Sequence, residues 1–178
     1  MKHGFFRSED GYRAVMDWYD RMLARIPVPY ETRMVPSRFG DTHVVSAGPV
    51  DAPPVVYLHG LGTNACSLPE AYGVIGRRMR IHAVDVIGEI NRSAQVRPPC
   101  EGPDYALWIG DVMDGLGIGK ARFAGVSFGA WIILKLATLA PERIERASLV
   151  IPAGIVPIAA RGAALLAYYW AMSLLRPD

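Results

Sequence analysis

Cysteine is scarce in this sequence: 178 residues hold two, Cys66 and Cys100. That number excludes a disulfide framework, and neither residue lies at a metal-ligand spacing. An excess of one charge is also lacking. Nineteen Lys and Arg against 17 Asp and Glu leave a formal net charge of +2, too mild for a nucleic-acid footprint unless the cations cluster. The nearest to a cluster is Arg77-Arg78-Met79-Arg80, at the end of a predicted helix where the dipole favours cations anyway, so no nucleic-acid partner is expected. Long apolar runs are missing as well. The longest uncharged stretch near the end, Gly162 to Leu175, is shorter than the roughly 20 residues a bilayer span needs. The opening MKHGFFRSEDGYRAVMDWYDRML carries charges throughout and has no apolar h-region, so no signal peptide is expected. With no cysteine framework, the expected location is a reducing cytoplasm.

What is present is a globular composition, 51% hydrophobic and 20% charged, at a length that usually makes one domain. Tyr12, Val15, Met16, Tyr19, Met22, Leu23 and Ile26 recur at helical spacing behind an N-cap Ser8, predicting a helix over about 8–25 that Pro27 and Pro29 stop. Two short strands follow, about Thr32–Val35 and Thr42–Ser46, joined by a Phe39-Gly40-Asp41 turn as an antiparallel hairpin at a sheet edge. Apolar strands then alternate with helices. The strands are Pro54–Leu58, Ile81–Val84, Ala121–Ala124 and Ala147–Ile151; the helices are about Leu68–Arg78, Asp104–Leu116 and Ala130–Ala140. This alternation predicts βαβ units with right-handed crossovers and a mostly parallel sheet in the α/β class. The expected division is an N-terminal helix and linker over 1–29, an α/β core over 30–152, and the start of a further layer over 153–178.

Gly125-Val126-Ser127-Phe128-Gly129 lies between an apolar strand and an apolar helix, the context in which G-x-S-x-G marks a nucleophile on a sharp turn. The rival reading is an ordinary helix N-cap serine between two convenient glycines. A second block, His59-Gly60-Leu61-Gly62, ends the first buried strand. The backbone N–H groups of Leu61 and Phe128 would together make a two-donor oxyanion hole. His59 is read as a structural histidine that holds this loop. Gly115-Leu116-Gly117-Ile118-Gly119-Lys120 has the look of a phosphate loop, but it precedes a strand and Ala121 stands where a P-loop needs Ser or Thr.

With Asp85-Val86-Ile87-Gly88 after the second apolar strand and Pro141-Glu142-Arg143-Ile144 before the last, these blocks resemble the α/β-hydrolase superfamily over about Glu31 to Ile151. The closer likeness is to its cofactor-free, esterase-type members with an "HG" oxyanion loop and a separate cap. The resemblance implies an α/β-hydrolase-type mostly parallel sheet with helices on both faces, incomplete because the last strands are missing, followed by the start of a helical cap. It implies Ser127 as nucleophile, Leu61 and Phe128 as oxyanion donors, and no metal or organic cofactor. A pocket bordered by His59 and Gly60 would be roofed by the Gly162–Leu175 helix through Trp170, and a small apolar ester would fill it. Asp85, tempting as a triad acid, is by the same resemblance an aspartate that orders a loop. Asp104, Asp111 and Asp114 fall on the solvated side of their helix.

The triad of this fold runs Ser, then Asp or Glu, then His. All four histidines, His3, His43, His59 and His82, precede Ser127, and the only later carboxylates are Glu142, Glu145 and Asp178. The expectation is therefore a C-terminally truncated serine hydrolase, with the 147–151 strand left as an open edge. Two alternatives stand beside it: a non-catalytic binding protein on the same scaffold, and a partner chain that completes the sheet and supplies the missing groups.

Overall fold

The computed structural model describes residues 5–155. Helix α1 (Glu9–Leu23) starts where the sequence predicts, with Ser8 as N-cap accepting a 3.0 Å hydrogen bond from the Gly11 N–H. Strands β1 (Tyr30–Val35) and β2 (Thr42–Ala47) form the expected antiparallel hairpin. Strands β3 (Pro54–Leu58), β4 (Arg80–Val84), β5 (Ala121–Val126) and β6 (Ile144–Val150) run parallel to one another. The sheet order is β1-β2-β4-β3-β5-β6.

That order places a crossover at the centre. From β3 the chain steps outward to β4, then returns past β3 to β5 on its other side. The carboxyl ends of β3 and β5 are thus neighbours at a topological switch point, where open α/β sheets bind ligands.

Period-2 alternation sorts the strand side chains onto two cores. On one face Val44, Val56, Leu58, Val84 and Phe123 cluster with residues of α3 (Asp104–Gly115) and α4 (Phe128–Leu139), among them Trp108, Ile109, Ile132 and Leu136. On the other, Val45, Ala47, Ile81 and Ala83 cluster with Tyr19 and Leu23 of α1 and Tyr72 of α2 (Pro69–Ile75). Each such side chain, fully buried, contributes roughly 1.5–3 kcal/mol of transfer free energy. Trp108 is wholly buried only because its indole N–H donates to Thr42 Oγ1 at 2.9 Å, as a buried polar group requires.

Two boundaries differ from the sequence reading for identifiable reasons. α2 ends at Ile75 because Gly76 caps it, its N–H bonding to Tyr72 O; Arg77–Met79 turn toward β4 instead of adding a turn of helix. α4 begins at Phe128, not Ala130, because the serine turn passes into helix with no intervening loop. Among the described residues β6 pairs with β5 alone and is exposed along most of its length, the open edge the sequence suggested. The roof helix over 162–175, with Trp170, lies outside the described residues.

Asp85, completely buried, ties the layers together. Its carboxylate accepts from the Tyr19 hydroxyl at 2.8 Å, the Ala65 N–H at 2.8 Å and the Arg92 N–H at 3.3 Å, and meets His43 Nδ1 at 3.0 Å. One side chain thus joins α1, β2 and the loops after β3 and β4, the loop-ordering role expected of it. Tyr19→Phe should lower the stability of the chain by about 1–3 kcal/mol, since it removes a buried hydrogen bond to a charged acceptor. Urea denaturation measures this, and an unchanged midpoint would contradict the role given to Asp85.

Candidate active site

Ser127 has φ 50° and ψ −110°, a conformation L residues with a β-carbon rarely adopt and one that costs on the order of 1–3 kcal/mol. The backbone around it holds it there. Its N–H donates to Val150 O at 2.9 Å, and its carbonyl accepts from the Trp131 N–H and the Ala153 N–H, both at 3.1 Å. Two glycines make the close approach possible. A methyl group on Gly129 would stand 2.2 Å from Leu58 O and 2.6 Å from His59 O; one on Gly125 would stand 2.8 Å from Ala130 N. No larger residue fits either place without moving α4 off the sheet.

The serine side chain occupies the N-cap position of α4 but makes no capping hydrogen bond. The hydroxyl is therefore not used to hold the helix, which removes the ordinary-cap reading. It is half-buried, at a helix N-terminus where partial positive charge favours a developing anion.

The loop after β3 lies against it. A methyl on Gly60 would reach within 3.5 Å of Ser127 Cβ, so His59–Leu61 and the serine turn are in contact. Gly62 has φ 67°, the left-handed region in which glycine is unstrained. Its N–H donates to Glu89 Oε2 at 2.9 Å. The N–H groups of Leu61 and Phe128 have no hydrogen-bond partner among the described residues.

His59 is completely buried. Its Nε2 accepts from the Val86 N–H at 2.9 Å, so Nδ1 carries the proton and donates to Gly60 O at 2.8 Å. Burial holds its pKa below the usual histidine value and keeps the ring neutral. The expectation that its side chain borders the pocket is corrected: the ring sits beneath the loop, with both nitrogens engaged. Gly60, by contrast, does border Ser127, and Trp170 lies outside the described residues.

The other described histidines are engaged through Nδ1, while His43 Nε2 is buried without a partner among the described residues. His43 is turned to Asp85, and His82 is bound to Ser46 Oγ at 2.9 Å through Nδ1. Asp111 and Asp114 pair with Arg38 and Arg143 on the surface, and Glu145 pairs with Arg122. No described histidine makes a hydrogen bond to the Ser127 hydroxyl.

Sequence reasoning missed two features. Glu89, 7% exposed, follows the Asp85–Gly88 block directly, but no spacing rule places it under Gly62. Phe128 and Trp131 stack at 5.3 Å with Tyr105 edge-on to both; only their helical spacing on α3 and α4 hinted at contact. Among the described residues no group of three or more His, Cys, Asp or Glu could hold a metal ion. No described helix is long and apolar enough to cross a membrane.

No family model matches the sequence. Among curated proteins, the chain is 39% identical over 136 residues to carboxylesterase YbfK of Bacillus subtilis, a match covering 76% of this chain and 46% of that protein. It is 35% identical over 146 residues to the uncharacterised carboxylesterase nap of the same organism, covering 82% and 48%. Among solved structures, naproxen esterase (carboxylesterase NP) from Bacillus subtilis superposes with a TM-score of 0.82 at 32% identity, covering 96% of this chain and 58% of that one. The chain belongs to the α/β-hydrolase superfamily. It spans about half the length of the curated relatives it matches.

An α/β-hydrolase elbow this tightly packed tolerates no Cβ at its second glycine. Gly129→Ala should destabilise the chain by about 1–3 kcal/mol or more through overpacking against β3. Thermal unfolding reads the loss. A variant as stable as the parent would mean that α4 can lift from β3 at no cost, contrary to the geometry.

Proposed function

We propose that this chain carries the nucleophile and oxyanion hole of a serine carboxylesterase. The observation that carries the reading is the strained, uncapped Ser127 beside two unengaged backbone donors, on a scaffold shared with carboxylesterases. Ser127 Oγ attacks the carbonyl carbon of an ester, and the Leu61 and Phe128 N–H groups receive the oxyanion. A general base takes the serine proton and passes it to the departing alcohol; water then releases the acid by the same route in reverse.

The base lies outside residues 5–155, because His43, His59 and His82 are all held elsewhere. It belongs, with its orienting acid, to further polypeptide that continues the sheet beside β6 or to a partner chain that does the same. The substrate is a small apolar ester, in keeping with the exposed Leu61 side chain and the half-buried Phe128 flanking the serine. Two free cysteines, Cys66 and Cys100, favour a reducing compartment, the cytoplasm.

The test is hydrolysis of p-nitrophenyl butyrate by the 178-residue chain beside Ser127→Ala, with and without added imidazole. Without imidazole both proteins should run near background, since an oxyanion hole and binding alone leave a residual acceleration on the order of 10³ over water. Imidazole should raise the rate of the parent above that of Ser127→Ala by standing in for the missing base. Identical rates at every imidazole concentration would favour a non-catalytic binding protein. A parent rate far above the variant without imidazole would contradict the placement of the base.

A further inference from the structure

At the opposite end of the sheet from Ser127, beneath the turn that follows α3, lies a cavity of about 360 Å³. Its floor is set by strand register. Glu31 pairs with Ser46 and Ser46 with His82, so these three side chains share one face, and Arg33 and Arg80, two residues along their own strands, share it too. Its roof is Leu116-Gly117-Ile118-Gly119-Lys120. This is the glycine-rich stretch whose phosphate-loop likeness fails on its place before a strand.

The charge in this cavity is unbalanced. Its one lining carboxylate, Glu31, is taken by the Arg80 guanidinium, which also donates to Gly48 O at 2.6 Å. Arg33 and Lys120 line the same space, exposed, with no ion pair or hydrogen bond among the described residues. Glu145, across β5, is bound by Arg122. The roof adds neutral donors: the Gly119 and Lys120 N–H groups have no partner among the described residues. The carboxyl end of α3 would oppose an anion, but its carbonyls at Met113 and Asp114 are met by the Ile118 and Gly117 N–H groups at 2.8 and 3.0 Å. The surroundings also register on His82, whose pKa is pushed down to about 4 by burial and then by the Arg80 and Arg33 charges.

We propose that this cavity binds a doubly charged oxyanion, the phosphate group of a small molecule, between Arg33, Lys120 and the free N–H groups of the 117–120 turn. Guanidinium, ammonium and backbone N–H donors lining one space match the acceptor oxygens of phosphate. The proposal is independent of the esterase reading, because the cavity shares no residue with the Ser127 site.

Titration of the full 178-residue chain with inorganic phosphate, followed by backbone amide NMR at constant ionic strength, tests it. The Gly119 and Lys120 amides should shift saturably with phosphate and not with chloride or acetate. Arg33→Ala and Lys120→Ala, both surface changes that leave the cores untouched, should each weaken binding on the order of tenfold, as loss of a charge-assisted hydrogen bond does. Ser127→Ala should change nothing. Shifts that never saturate, that chloride reproduces, or that survive both cation removals would overturn the proposal.

Discussion

The closeness of α4 to β3 is the constraint from which the rest of the site follows. With Gly129 set so that even a methyl group would collide with the carbonyls of Leu58 and His59, the helix starts immediately after the strand. There is no room for a relaxed turn. Ser127 must take a positive φ, and that twist lifts its hydroxyl out of reach of its own helix N-terminus. A half-buried, unspent hydroxyl beside unspent N–H groups is thus a consequence of packing. The energy stored in one backbone residue is offset by the apolar contacts of Ile132, Ile133 and Leu136 in the same helix.

The loops facing the serine are held from below by buried polar groups. Asp85 binds the loop after β3 through Ala65, His59 bridges to Val86, and Glu89 holds Gly62. Each bond joins the carboxyl end of β3 to that of β4. The 59–62 loop is therefore fixed by its neighbour in the sheet, which under the proposed function would hold the Leu61 N–H in place before any substrate arrives.

Much of this was legible in the residues. Apolar strands alternating with helices gave the parallel sheet, and Gly125, Ser127 and Gly129 between a strand and a helix marked the elbow. The histidine at position 59 was legible as structural because it falls ahead of the serine in the chain. The unread part consists of contacts between residues distant in sequence. Tyr19 sits at a core spacing on an amphipathic helix, and nothing local says that its hydroxyl will find Asp85, 66 residues on. Glu89 lies in a polar loop where a carboxylate would ordinarily be solvated; only the pairing of β3 with β4 brings it under Gly62. Helix ends are less legible for a similar reason, since Gly76 and the serine turn act through backbone geometry that periodicity does not record.

The most direct measurement is a crystal structure of the 178-residue chain with butylboronic acid. Boron should be bonded to Ser127 Oγ, with one boronate oxygen about 2.7–3.1 Å from both the Leu61 and the Phe128 nitrogen. Boron absent from Ser127, or a boronate oxygen turned away from those two N–H groups, would contradict the assignment of this turn as a nucleophile with its oxyanion hole.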